Sequence, residues 1–267
     1  MTPPRISIVT PVFNSEAFIE EAITSVLDQN YPNLQYFIID GGSTDNTVNL
    51  IRKYDKHLSG WISEPDSGQS DAIAKGFALC NGEIFNWLNA DDSYRPLALS
   101  HVGEAFTDPS INVFAARSYV YGLGKGFVSN GTDIYPESLE RTIGRARIDQ
   151  PETFFRRSVI STVGGINPSL HYLMDLELWI RYLLCYGLKG IVQSDNMLVN
   201  FRLHETSKTV SQQDGFVREG NMLASAILDS ASPPQLRQLV DIMTANPYNT
   251  DLEKVKREFA LLRYSIS

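Results

Sequence analysis

Four apolar runs in the N-terminal third, each bounded by polar or acidic residues and the first three followed by a helical pattern, restrict this chain more than any other feature. They are ISIVTPVF (Ile6 to Phe13), YFIID (Tyr36 to Asp40), WIS (Trp61 to Ser63) and EIFNWL (Glu83 to Leu88). Runs this rich in β-branched and aromatic residues, without polar alternation, suit strands covered on both faces. Asn14 and Ser15 offer N-cap side chains for a first helix with an apolar stripe at Ile19, Ala22, Ile23, Val26 and Leu27, which Asn30-Tyr31-Pro32 ends. Gly41-Gly42 makes a turn into a second helix with Val48, Leu50, Ile51 and Tyr54 as its apolar positions. A third helix spans Gln69 to Cys80 and is closed by Asn81-Gly82.

Strands alternating with helices predict a parallel sheet with right-handed crossovers. Ligands of such sheets bind beyond the carboxyl ends of the strands. Here those ends are Thr10-Pro11, Asp40-Gly41, Glu64-Pro65-Asp66 and Asn89-Ala90-Asp91-Asp92, so all of them fall on one rim. Two unit charges ~4 Å apart repel by ~4 kcal/mol at an effective dielectric of ~20, and Asp91 and Asp92 are adjacent. A cation relieves that repulsion, and carboxylate oxygens favour Mg²⁺ or Mn²⁺. A cation held by one or two carboxylates completes its shell with water and phosphate oxygens, so a diphosphate-bearing substrate fits. The chain has no GxxxxGK[ST] and no GxGxxG motif, which argues against a P-loop or a dinucleotide site.

The second half is less regular. Val113 to Val128 reads as two antiparallel strands around a Gly-rich turn, Leu173 to Gly187 as a helix, and Met197 to Leu203 as a further strand ending at His204. From Gln212 the pattern is helical, with breaks at Pro233-Pro234 and Pro247. Trp87 and Trp179 read as core residues rather than sugar platforms. At 267 residues with net charge −8, the chain is expected not to bind nucleic acid. Cys80 and Cys185 suggest a reducing compartment rather than a disulfide. No apolar stretch approaches the ~18 residues of a membrane span, so the expectation is a cytoplasmic protein.

At this point the motifs carry a resemblance. ISIVTPVFNSEAFIEEAITSVLDQNYPNLQYFIIDGGSTDNT and SEPDSGQSDAIAKGFALCNGEIFNWLNADD are similar to the opening segments of the family 2 glycosyltransferases, including their Asp-x-Asp metal site. QPETFFRRSVISTVGGINPSLHYLMDLELWIR and FRLHETSKTVS are similar to its acceptor-side motifs. The resemblance covers residues 5–211. It implies a GT-A fold, a Rossmann-like, mostly parallel sheet flanked by helices. It further implies a catalytic domain over 1–211, with a nucleotide-sugar half to about residue 95 and an acceptor half from there; the helical pattern of the uncovered tail, 212–267, reads as an appended C-terminal extension.

The activity implied is transfer of a sugar, with inversion, from a nucleotide diphosphate of UDP, GDP or dTDP type to a hydroxyl of a glycan or lipid-linked acceptor. Such an acceptor would bring peripheral contact with the inner face of a membrane. By position, Thr10, Pro11, Phe13 and Asp40 would meet the base, and Asp66 the base and ribose region. Asp71, Asn89 and Asp91 are further nucleotide-binding candidates. Asp91, Asp92 and His204 would hold a divalent cation, Mn²⁺ or Mg²⁺, and Asp175 would be the general base. Three departures stand out. Asn89 replaces the first Asp of Asp-x-Asp, Met174 stands where a Glu often precedes the base aspartate, and the turn Asp40-Gly41-Gly42-Ser43 lacks a second Asp. A catalytically silent nucleotide-sugar or glycan-binding module is the competing expectation. A nucleotidylyltransferase would want a Gly-rich, basic loop after the first strand, which PVFNSEAF does not supply.

Overall fold

The structure is a computed structural model that describes residues 3–145 and 147–230. Its N-terminal part alternates as expected: β1 (Ile6–Val12), α1 (Ile19–Leu27), β2 (Leu34–Asp40), α2 (Thr47–Lys53), β3 (Gly60–Ser63), α3 (Gln69–Leu79) and β4 (Ile84–Trp87). Then follow β5 (Ser93–Tyr94), α4 (Ala98–Ala105), β6 (Val113–Gly122), β7 (Lys125–Val128), α5 (Leu139–Arg145), β8 (Thr153–Arg156), α6 (Arg157–Thr162), α7 (Met174–Tyr186), β9 (Ile191–Arg202), α8 (Lys208–Ser211) and α9 (Gln213–Ser230).

One sheet runs through both halves in the order β3-β2-β1-β4-β8-β6-β9-β5, with β7 paired to β6. The β3-β2-β1-β4 portion is parallel, β8 joins antiparallel to β4, and β6 and β9 are parallel to each other. Strand order therefore reverses between β1 and β4, a switch point that opens a crevice at the strand ends. Successive strand residues face opposite sides. Ile8 and Ile38 pack under α1, α2 and α4, whereas Val9 and Ile39 pack with Ile73, Phe85, Trp87 and Trp179 on the other side. Both tryptophans are core residues, as their sequence context implies. A Cβ on Gly76 would lie 2.5 Å from Val9 Cγ1, so α3 rests directly on β1 only because Gly stands there.

Several local expectations are corrected. Asn14 and Ser15 do not cap α1, which starts after Phe18 with no side-chain cap. Asn14, at φ 45°, instead accepts from the Thr44 amide, and the Ser15 amide donates to Thr47 Oγ1. Tying the loop after β1 to the loop after β2 outweighed capping. The α3 helix ends with Cys80 in extended conformation; Gly82 takes no positive φ and is small because Ser7 packs against it. The last strand begins at Ile191 rather than Met197 because it pairs along β6 from Val113 onward. Two short strands, β5 and β8, carry too few residues to show a period. Leu123 and Gly124, between β6 and β7, both take positive φ, as a two-residue hairpin of the I′ type requires. Cys80 and Cys185 are both free. The expected helices beyond Ser230, with their prolines and the Leu252 to Leu262 segment, lie outside the described residues.

Candidate active site

The ends of β1, β2 and β4 and the segment after β9 enclose an open cavity of about 720 Å³. Pro11, Phe13, Asp66, Asn89, Asp91, Asp92 and His204 line it. Phe13 is 59% exposed at its lip and has no core to pack into, so its ring is free for a planar ligand. Thr10, Asp40 and Asp71 stand behind the lining, and each has a local structural role. Thr10 is fully buried and shares a 2.9 Å hydrogen bond with Tyr36. Asp40, also fully buried, accepts from the Gly42 and Ser43 amides and from the Ser43 and Ser63 hydroxyls, which fixes the turn after β2. Asp71 accepts from the Ser67 amide and pairs with Lys75 at the start of α3.

Asp66 reaches the cavity because position 41 is Gly. A Cβ there would lie 2.6 Å from Asp66 Oδ2, so the Asp66 carboxyl fills the space that the second acid of the turn would take. The Gly68 amide donates to its other oxygen at 2.8 Å. Asn89 is engaged by a relay: Lys208 Nζ donates to Gln69 Oε1 at 2.9 Å, and Gln69 Nε2 donates to Asn89 Oδ1 at 2.6 Å. Sequence reading missed Gln69 and Lys208. The only available signal was polar residues next to the quoted motifs, which solvent exposure also explains.

At the end of β4, Asp91 Oδ2 lies 2.9 Å from His204 Nε2, and Thr206 Oγ1 lies 2.9 Å from the other ring nitrogen. The Phe18 ring packs on the imidazole at 4.7 Å. Asp92 is 3% exposed; one oxygen accepts from the Arg202 amide and the other, Oδ2, has no partner. Burial first, then the neighbouring Asp91 charge, pushes its carboxyl well above the usual range. Among the described residues no three acidic, His or Cys side chains form a ready-made metal cage. Asp91, His204 and the orphaned Asp92 oxygen nonetheless fit a divalent cation whose shell is completed by phosphate oxygens and water. Arg202 is committed elsewhere: it pairs with Glu21, donates to the Asp91 carbonyl and lies over Phe18 and Tyr121.

Asp175 is not part of this lining. It sits in the first turn of α7, where its Oδ1 accepts from the Leu176 amide at 2.8 Å. Burial raises it to about 6, with the Asp149 and Glu219 charges acting in the same direction and hydrogen bonds opposing. The approach to α7 abuts the cavity wall, since a Cβ on Gly68 would lie 3.0 Å from His171 Nδ1. Glu152, fully buried with an unpartnered oxygen, is raised to about 8 by burial and then by Asp149.

With this geometry in view, residues 7–162 match the family model described as glycosyl transferase family 2. An uncharacterized glycosyltransferase of Nostoc sp. is 32% identical over 221 residues, which covers 78% of this chain and 67% of that protein. One from Rickettsia typhi is 24% identical over 77% of this chain and 66% of its own length, and one from Rickettsia felis is covered over 40% of its length. The chain thus spans roughly two fifths to two thirds of several curated relatives. Among solved structures, S. aureus TarS 1-349 in complex with UDP-GlcNAc superposes with a TM-score of 0.70 at 18% identity, covering 90% of this chain and 70% of that one. Mannosyltransferase PcManGT from Pyrobaculum calidifontis in complex with GDP-Man and Mn2+ gives 0.65 at 17% identity, covering 99% and 77%. A crevice at the switch point of the sheet, an acidic strand end facing a histidine and a match over most of the chain agree: the chain belongs to glycosyl transferase family 2 and has the GT-A fold.

Proposed function

We propose that this chain transfers a sugar from a nucleotide diphosphate to a hydroxyl of a glycan or lipid-linked acceptor, with inversion at the anomeric carbon. The observation that carries the reading is the cavity in which Asp91, His204 and the unpartnered Asp92 oxygen meet, with His171, on the loop that leads to Asp175, against its Gly68 wall. Phe13, Pro11 and Asp66 receive the nucleoside at one end. Asp91, Asp92 and His204 would hold the divalent cation, which supplies Lewis-acid stabilisation of the departing diphosphate. Asp175 accepts the acceptor hydroxyl's proton as that oxygen attacks, and its raised pKa of about 6 suits a base working near neutral pH. The sugar–phosphate bond breaks as the new glycosidic bond forms, and the diphosphate keeps the electron pair.

The UDP-GlcNAc of the TarS complex and the GDP-Man and Mn²⁺ of the PcManGT complex support the ligand class without fixing the base or the metal here. A lipid-linked acceptor would be reached by contact with a membrane surface, since among the described residues no helix is long and apolar enough to cross one. The test is a thermal-shift panel of UDP, GDP, dTDP, CDP and CMP, each with Mn²⁺, Mg²⁺ or EDTA. At 100 times its dissociation constant a ligand adds ~2.7 kcal/mol, a shift of ~5–10 °C for a domain of this size. Metal-dependent stabilisation by one diphosphate is expected. If no nucleotide shifts the transition, the transferase reading gives way to a silent module.

A further inference from the structure

The C-terminal helix α9 lies outside the residues that match the family and reads, from sequence, as an appendage. Its Glu219 is inconsistent with that. The side chain is 7% exposed, and a buried charge must find partners. Glu219 finds three consecutive backbone amides: His171 N donates to Oε1 at 2.6 Å, and Tyr172 N and Leu173 N donate to Oε2 at 2.8 and 2.9 Å. Successive N–H groups converging on one anion form a nest, and these belong to the residues leading into α7. Of the three, the amide of Leu173, the N-cap of α7, is one that a helix start leaves without an intrahelical partner.

Two other contacts place the same helix on the same loop. A Cβ on Gly215 would lie 2.2 Å from Tyr172 Cζ, so α9 touches that ring closely, and the Phe216 and Tyr172 rings pack at 5.2 Å. Lys208 Nζ, while holding Gln69 on the donor side, donates to the His171 carbonyl at 2.9 Å. The segment from His204 to Glu219 therefore straps the donor cavity to the entry of α7, two residues before Asp175.

We propose that Glu219 is a positioning residue for Asp175, acting through the three amides it binds, and that α9 is part of the catalytic apparatus. This rests on Asp175 being the base. The charges that face Asp175 are those of Asp149 and Glu219, and Glu219 is in turn opposed by Lys208. Replacing Glu219 by Gln leaves one acceptor oxygen where three amides need two, and removes one of the charges.

The experiment compares wild type, Glu219→Gln, the charge-keeping Glu219→Asp and Asp175→Asn, in the full chain. Amide exchange is followed by mass spectrometry, and release of nucleoside diphosphate from UDP-N-acetylglucosamine and GDP-mannose is followed against pH. In Glu219→Gln, protection is expected to fall at 171–173 while the rest of α7 keeps it. Its kcat should fall about 100-fold, the scale of a ~1 Å misplacement, with unchanged nucleotide affinity. Its acid limb should move below the wild-type value near 6. Glu219→Asp should lose kcat with little movement of that limb, which separates placement from charge. Unchanged exchange at 171–173, or unchanged kcat in both Glu219 variants while Asp175→Asn is inactive, overturns the proposal and leaves the base in place. Full turnover in Asp175→Asn overturns the base reading itself, and the proposal with it. If Glu219→Gln does not fold, the kcat of Glu219→Asp decides.

Discussion

The carboxylates along the cavity rim and those around the start of α7 are treated in opposite ways by the same fold. On the donor side, Asp40 meets two amides and two hydroxyls, Asp66 meets the Gly68 amide and Asp91 meets His204. Near the start of α7, Glu152 is buried and Asp149 and Asp175 are half-buried, and desolvation is the largest influence on all three, pushing each upward. The first arrangement holds each carboxylate in place by hydrogen bonds, whereas the second raises proton affinity, to about 8 at Glu152 and about 6 at Asp175. Asp92 lies between them, with one oxygen satisfied and one not. A transferase needs both behaviours: a fixed rim to position a charged donor, and a proton acceptor across from it.

That contrast can be broken at its extremes. Asp175→Asn should lower turnover by about 10²–10⁴, the usual worth of a general base, while nucleotide-induced thermal shifts stay at the wild-type value. If turnover and nucleotide affinity fell together, the two sides would not be separable. Asp91→Asn should do the reverse and remove the metal-dependent part of nucleotide stabilisation, up to ~2.7 kcal/mol at saturating ligand. The panel described above, run with and without EDTA, reads this directly.

A smaller effect is expected at Gly41. Gly41→Ala forces its new Cβ against Asp66 Oδ2, and overpacking of this kind costs ~1–3 kcal/mol. Part of that should appear as roughly tenfold weaker nucleotide binding in calorimetry. Wild-type affinity in Gly41→Ala would remove Asp66 from the donor rim.

The smallest effect is on stability and has a definite sign. Asp175 binds its proton more tightly in the folded chain than in the unfolded one, because its pKa is raised from 3.8 to about 6. Its charge therefore costs stability that is absent at low pH and appears as pH rises through this window. Asp175→Asn should melt a few degrees higher than wild type above pH 6, at ~2–4 °C per kcal/mol, with no difference below pH 4. Melting curves across that range check it, and equal transitions at pH 7 would show that Asp175 is solvated.

The regular half of the molecule was readable because its signals are local. Ile6 to Val12 and Tyr36 to Asp40 are apolar runs bounded by turn residues, and burial on both faces leaves no alternative to a parallel strand. Asp91 and His204 were found through motif context, and the fold does bring them within hydrogen-bond distance across 113 residues. Only the tertiary structure showed which acids face the cavity. Asp40 and Asp66 look alike in sequence, but the amides around the turn close over Asp40, and Gly41 opens the way for Asp66. Lys208, Gln69 and Glu219 were invisible because their partners are up to 139 residues away, and a polar residue on a helix carries no mark of where it points.

The order of strands and helices as far as β4, the rim on which those strands end and the acid pair at the end of β4 are properties of the sequence. They follow from hydrophobic period and chain direction alone. Which carboxylates are held in place by hydrogen bonds, which have their proton affinity raised by burial, and how α9 reaches the entry of α7 were decided by the tertiary structure. Burial and hydrogen-bond donors set both, and the donors come from segments that only folding brings together.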